Sequence, residues 1–298
     1  MGSMTGKNVV ITGASDGIGR VTAQKLAEAG ANVVMVGRNE AKTVAAARAI
    51  MSDIGQRTVT WEIADLSRQH DVRDLAARLR DRLNSIDVLI NNAGAIFHER
   101  EVTRDGLERT FALNHLAYFT LTLLLLDRLK NAAKTNAPAR VLIVSSDAHR
   151  RAQLNLGDLQ SESNFRPWRT YGNSKLENIL FMRSLAAKVD PRKIVVNALH
   201  PGVVSTRFAV TGNGVWGRLM RRTMNLASIS AEEGADTLVW LATDPEIGQK
   251  TGLYWEKRAV ATPSKAALND ENARILWNES EKIAELDADA LVEQNFPR

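Results

Sequence analysis

Short apolar runs alternate with helical patterns along almost the whole chain, and that alternation leaves few folds open. Asn8–Thr12 (NVVIT) ends in a glycine-rich turn, the pattern of a parallel strand buried on both faces. A helical segment follows from about Ile18 to Ala29, with Gly30 as its stop. Strand patterns recur at Ala31–Val36, Thr58–Ile63, Val88–Ile90, Val141–Ser145, Ile194–Leu199 and Gly252–Trp255. Helical patterns recur at about Glu40–Met51, Asp71–Leu83, Leu107–Lys130, Lys175–Lys188 and Asn269–Leu286. Within Asp71–Leu83, for example, Val72, Leu75, Ala76, Leu79 and Leu83 fall on one helical face. Repeated β-α-β units with short connections imply an α/β fold, a doubly wound parallel sheet of about seven strands with helices on both faces.

Neither repeats nor linkers interrupt the pattern, so residues 7–298 are read as one domain, and residues 1–6 as a tag remnant or leader. Two stretches break the rhythm: Asp147–Thr170, and a glycine-containing segment at about 207–230 that is expected to form a substrate loop or lid. Ligands on such a sheet bind beyond the strand C-termini.

Composition removes several classes of function. The net charge is +5, but Lys and Arg are scattered, which reads as a solvated surface and not as a nucleic-acid face. No cysteine is present, so disulfides, thiolate metal sites and cysteine nucleophiles are excluded. The five histidines do not cluster and no H-E-x-x-H occurs, so no metal is expected. The most apolar run, Leu116–Leu126, is short of the ~20 residues that span a bilayer. The first strand begins within ten residues of the start, leaving no room for a signal peptide. A cytoplasmic protein without an integral membrane segment is expected.

The chemistry-bearing residues sit at strand ends. Thr12-Gly13-Ala14-Ser15-Asp16-Gly17-Ile18-Gly19 joins the first strand to the first helix, where backbone N–H groups and the helix N-terminus suit a pyrophosphate. After the second strand, Arg38 offers a guanidinium fork to a 2′-phosphate, which favours NADP(H) over NAD(H). Asp16 is an acidic neighbour that opposes this preference. Asp65, before Leu66, either receives the adenine amino group or caps the next helix. Asn91-Asn92-Ala93-Gly94 ends the fourth strand as a wall near the adenosine ribose. Tyr171 and Lys175 are four apart and share a face if helical. A neighbouring ammonium is expected to lower the tyrosine pKa from its free value near ~10 and make it a general acid/base. Ser146 ends the fifth strand, where a hydroxyl stabilises a carbonyl oxygen gaining alkoxide character. Asn114 lies in a helical stretch, where a surface position is the default.

In order and spacing these residues resemble the short-chain dehydrogenase/reductase family, from about Lys7 to Leu286. The resemblance is carried by Thr12-Gly13 with Gly17-Ile18-Gly19, Asp65, Asn91–Gly94, Asn114, Ser146, Tyr171-x-x-x-Lys175 and Pro201-Gly202. Within the family the chain is similar to the retinol dehydrogenase branch through Asp105-Gly106-Leu107, Asn114-His115-Leu116, Ser145-Ser146 with His149, Ser174-Lys175-Leu176, His200-Pro201-Gly202-Val203-Val204 and Leu276-Trp277. The resemblance implies a Rossmann-like fold and hydride transfer between the cofactor and a carbinol or carbonyl carbon. It makes Tyr171 the proton-exchanging group, Lys175 the holder of the nicotinamide ribose, Ser146 the carbonyl-orienting group and Asn114 the holder of a water. Pro201, Gly202, Val204 and Thr206 are implied to meet the nicotinamide end. The N-terminal apolar anchor of membrane-bound retinol dehydrogenases is not seen, so a bulky apolar or aromatic ketone or aldehyde is expected as substrate, with His149, Trp216, Leu219 and Met220 as candidate contacts. A homo-oligomer accords with the family. A non-catalytic NADP(H)-binding sensor is the competing reading; it has no need of the tyrosine–lysine–serine group.

Overall fold

The structure, a computed structural model, describes residues 4–133, 137–202 and 230–297. Val204, Thr206, Trp216, Leu219 and Met220, and all of the expected lid except Ser230, lie outside the described residues. The first half of the described chain runs β1 (Asn8–Thr12), α1 (Gly17–Glu28), β2 (Asn32–Gly37), α2 (Glu40–Ile54), β3 (Val59–Ile63), α3 (Gln69–Arg82) and β4 (Val88–Asn91). It continues through α4 (Arg109–Phe111), a π-helical turn (Ala112–Leu116), α5 (Ala117–Leu124), α6 (Leu126–Ala132), β5 (Ala139–Val144) and a short 3-10 turn (Asp147–Arg151). Then come α7 (Pro167–Lys188), β6 (Ile194–His200), α8 (Ala231–Thr243), β7 (Tyr254–Glu256), β8 (Ala259–Val260), α9 (Asp270–Ile283) and α10 (Ala288–Asn295).

The strands form one sheet in the order β3-β2-β1-β4-β5-β6-β7-β8. All neighbours are parallel through β7; β8 returns antiparallel on β7 as an eighth strand beyond the expected seven. Side chains alternate between faces along a strand, which divides the core in two. Val10, Val34, Leu89, Val141, Ile143 and Val196 face the layer made by α3, α5, α7, α9 and α10. Val9, Ile11, Val33, Met35, Ile90, Leu142 and Leu199 face α1, α2 and α8. Both faces are covered, so these strands are apolar throughout instead of alternating with polar residues.

Three expectations need correction. The leader was placed before Lys7, yet Met4 is buried at 2% exposure and its N–H donates to the Ala29 carbonyl at 2.9 Å. The helical pattern over Leu107–Lys130 is broken into α4, the π turn, α5 and α6, with a 59° bend between Arg109–Leu124 and Leu126–Ala132. The C-terminal stretch holds a further helix, α10, that docks on α5 and α6. Among the described residues no single helix is long and apolar enough to cross a membrane; the bent pair passes that test only when joined.

The strand order reverses between β1 and β4, which opens a crevice beyond their C-termini. The glycine turn after β1, the wall after β4 and the residues after β5 all meet at that edge.

Candidate active site

Thr12 locks the crevice from beneath. Its hydroxyl donates to the Ile90 carbonyl at 3.3 Å and accepts the N–H groups of Asn92 and Ala93 at 2.9 and 3.0 Å. The Asn92 amide returns to the Thr12 and Gly13 carbonyls at 2.9 and 3.3 Å. Asn92 therefore braces the glycine turn, and its amide nitrogen is already committed. Gly13 has φ +66°, and a Cβ there would sit 2.8 Å from the Ala93 Cα, so the turn and the wall touch backbone to backbone.

Asp16 caps α1 by accepting the Gly17 N–H at 2.9 Å, and pairs with Lys42 at 2.7 Å. A groove of about 380 Å³ opens beside this pair, lined by Ser15, Asp16, Arg20, Lys42 and three alanines of α2. Arg38, directly after β2, is exposed. A helix N-terminus with two cations, Arg20 and Lys42, at a glycine turn matches the donors that a phosphate-bearing dinucleotide needs. Ile18 is half-buried against the core, and Gly17 and Gly19 form the first turn of α1.

Asp65 takes part in a local turn. Its Oδ1 accepts from the Ser67 N–H at 3.1 Å and the Ser67 hydroxyl at 2.7 Å, a turn that leads into α3. Arg68, not Asp65, occupies the N-cap of α3. The Leu66 side chain is buried in the core.

The π turn explains Asn114, whose default surface placement does not hold: the side chain is fully buried. Its Oδ1 accepts the Ala95 N–H at 2.9 Å, and its Nδ2 donates to the Ala95 carbonyl and the Ser174 hydroxyl, both at 3.0 Å. These bonds tie the π turn to the wall after β4 and to α7; such turns recur at functional sites. Gly94 abuts both partners: a Cβ there would lie 3.2 Å from Asn114 Oδ1 and 3.3 Å from Lys175 Nζ.

On α7, Tyr171 and Lys175 share one buried face, as their spacing required. Lys175 Nζ donates to the Val144 carbonyl at 3.0 Å and lies 5.6 Å from the centre of the Tyr171 ring. The Tyr171 phenol is hydrogen-bonded to Ser146, whose Oγ also accepts the Ala148 N–H at 3.3 Å. Tyr118 closes the floor, donating to the Ala93 carbonyl at 2.7 Å with its ring 5.8 Å from Lys175 Nζ. Neither Tyr118 nor Ser174 had been singled out from sequence. Ser174 stood within the quoted Ser174-Lys175-Leu176, whereas Tyr118 was hidden in an apolar run.

Charge states here differ from the expectation that an ammonium lowers Tyr171. Burial pushes the Tyr171 phenol up to about 12, against a smaller lowering by Ser146. Burial likewise pushes Lys175 down to about 7. Each group resists charge because the low-dielectric pocket penalises the ion more than its neighbour rewards it. At neutral pH the phenol is protonated and Lys175 is near half-charged.

That lysine makes stability pH-dependent. A lysine in the unfolded chain titrates near ~10.4. Between about 7 and that value the unfolded chain holds a proton that the native state has released. Stability therefore rises with pH through this window, and the burial penalty is complete only below it. Lys175→Met removes the term. Relative to the wild type, the variant is expected to lose roughly 2–4 kcal/mol between pH 7 and 9.5 in urea unfolding. A pH-independent difference would show that Lys175 is charged throughout.

His149, a candidate substrate contact, is held by backbone groups on both sides. It is fully buried, with Nδ1 on the Ser146 carbonyl at 2.7 Å and Nε2 accepting the Ser264 N–H at 3.1 Å. Both ring nitrogens are committed, which places the proton on Nδ1 and makes His149 a strut between the turn after β5 and the segment after β8. Pro201 and Gly202 follow β6 directly, Gly202 with φ +93°.

A parallel sheet with a glycine turn at its switch point, and a buried tyrosine–lysine pair on the same edge, define a dinucleotide-dependent oxidoreductase. Residues 7–213 match the short chain dehydrogenase family model. The chain belongs to that family. It is 34% identical to human retinol dehydrogenase 13, with 99% of this chain and 90% of that protein aligned. It is 37% identical to a putative daunorubicin C-13 ketoreductase, DnrU, of Streptomyces sp. (strain C5), over 94% of this chain and 93% of the other. Among solved structures, the Pseudomonas aeruginosa RhlG/NADP active-site complex superposes with TM-score 0.68 at 27% identity, covering 85% of this chain and 94% of that one.

Proposed function

We propose that this oxidoreductase transfers hydride between NADP(H) and a bulky apolar or aromatic ketone or aldehyde, or the corresponding alcohol, with Tyr171 as general acid/base. The observation that carries the reading is the convergence of Ser146, Tyr171 and Lys175 at the sheet edge beside the β1–β4 crevice. The relatives' names, a retinol dehydrogenase and a ketoreductase, support alcohol–carbonyl chemistry.

The nicotinamide, when bound, supplies or accepts the hydride. The chain's own part is proton handling and orientation. Ser146 holds the carbonyl oxygen by hydrogen bonding, and Tyr171, protonated at neutral pH, delivers its proton to that oxygen as alkoxide character develops. Lys175, a short distance along the same helix face, is placed to hold the ribose hydroxyls and to supply positive charge as the phenolate forms. Asn114 holds the π turn against Ala95 and Ser174, which keeps Lys175 and the wall after β4 in register.

Arg38 is assigned to the 2′-phosphate, together with the cations of the groove. A charge-assisted contact of this kind contributes ~1.5–3 kcal/mol. Arg38→Ala is therefore expected to weaken NADPH binding about 10- to 100-fold, with NADH binding changed less than about threefold. Fluorescence titration of both nucleotides tests this. Equal weakening of the two would remove Arg38 from the 2′-phosphate and leave the family assignment untouched.

A further inference from the structure

β5 and β6 are parallel neighbours, so the chain between them must return, and α7 makes that return. Its first turn consequently stands outside the C-terminal edge of the sheet, beyond Tyr171. Trp168 occupies that turn, directly after Pro167 and three residues before Tyr171, a spacing that puts both on one helix face. The two rings are perpendicular with centres 6.5 Å apart. Tyr171 is 8% exposed, whereas Trp168 keeps 46% of its surface open.

An indole left half in solvent beside a buried phenol is unusual enough to need a reason, because Trp is highly buried on average. Its surroundings point the same way. The large apolar side chains exposed among the described residues are Val102, Trp168, Val260 and Leu268. Val102 lies on the connection leaving β4. Val260 lies on β8, and the segment that follows it is pinned to the turn after β5 by Arg150 to the Thr262 carbonyl at 3.1 Å. Three exposed apolar side chains thus stand on the connection after β4, the first turn of α7 and β8.

We propose that Trp168 is the aromatic wall of the substrate site and selects ketones whose carbonyl is attached to a planar aromatic ring system. The inference rests on the reductase reading above and adds the substrate class. A separation of 6.5 Å lets one substrate touch both rings: its carbonyl oxygen takes the Tyr171 proton while its flat ring rests on the indole. Trp168 touches the substrate's ring and takes no part in proton transfer.

The test compares wild type, Trp168→Phe and Trp168→Ala on 2-acetylnaphthalene and on 2-undecanone with NADPH. Trp168→Ala is expected to lose about tenfold or more in kcat/KM on the naphthyl ketone and less than about threefold on the aliphatic one. Trp168→Phe is expected to restore most of the loss, and NADPH affinity is expected to be equal in all three proteins. Equal effects on both ketones, or none, overturn the aromatic wall while leaving the reductase reading in place. A wild type that binds NADPH and reduces neither ketone overturns both.

Discussion

Tyr171→Phe is expected to lower kcat by about 10³-fold or more, within the 10²–10⁴ range of general acid catalysis, and to leave NADPH affinity unchanged. The substitution removes one oxygen and keeps the ring that packs against Trp168 and Lys175. The Ser146 hydrogen bond and the transferable proton are lost. Stability should stay within about 1 kcal/mol of the wild type, the net value of one hydrogen bond. Because burial holds the phenol up near 12, Tyr171 remains a proton donor across the whole range from pH 6 to 9. An inflection of the reductive rate near neutrality would accordingly report Lys175, which titrates about 7. A Phe variant that keeps a tenth or more of the activity would move the proton donor elsewhere, whatever the nucleotide affinity. Unchanged NADPH binding with lost turnover would also exclude the sensor reading, which predicts no turnover in either protein.

Gly19→Ala is expected to abolish measurable nucleotide binding, a loss of about 100-fold or more. A Cβ on Gly19 would lie 2.4 Å from the Gly13 carbonyl oxygen, 2.6 Å from Asn92 Nδ2 and 3.0 Å from the Ala14 Cα. Two of these atoms are backbone, and the third is held by its bonds to Thr12 and Gly13. The turn itself must move, and it carries the N–H groups at the entrance to α1. Overpacking of this kind also costs ~1–3 kcal/mol of stability. Gly55→Ala is the control. Gly55 has φ +66° at the end of α2 with nothing within 4 Å of a Cβ, so the change costs roughly 1 kcal/mol of backbone strain and is remote from the crevice. Titration of NADPH against both variants separates loss of fold from loss of site. If Gly19→Ala binds NADPH as the wild type does, the glycine turn is not the pyrophosphate site.

Much of the architecture was legible because its causes are local. Val9 to Ile11 and Val33 to Val36 are apolar on both faces, and α1 stops before Gly30 for a backbone reason that acts within a turn. The helix break over residues 112–125 was not legible. A π turn leaves no periodic trace in a run such as Leu116–Leu126, and what holds it is a pair of bonds from Asn114 to Ala95 and to Ser174, the latter 60 residues away in sequence. The final helix α10 and strand β8 were missed because they are short and take their stability from the elements they dock on.

The sequence by itself determined the order of strands and helices, the glycine turn, and the pairing of Tyr171 with Lys175, since each follows from periodicity or spacing within a few residues. Only the tertiary structure decided which side chains meet and in what charge state. Asn92 became a brace, His149 a strut with both nitrogens committed, and Asn114 a buried tie. Burial, which no spacing records, set both groups: enclosing them raised the phenol and lowered the ammonium. Desolvation depends on everything packed around a group, and that is fixed when distant segments close over it.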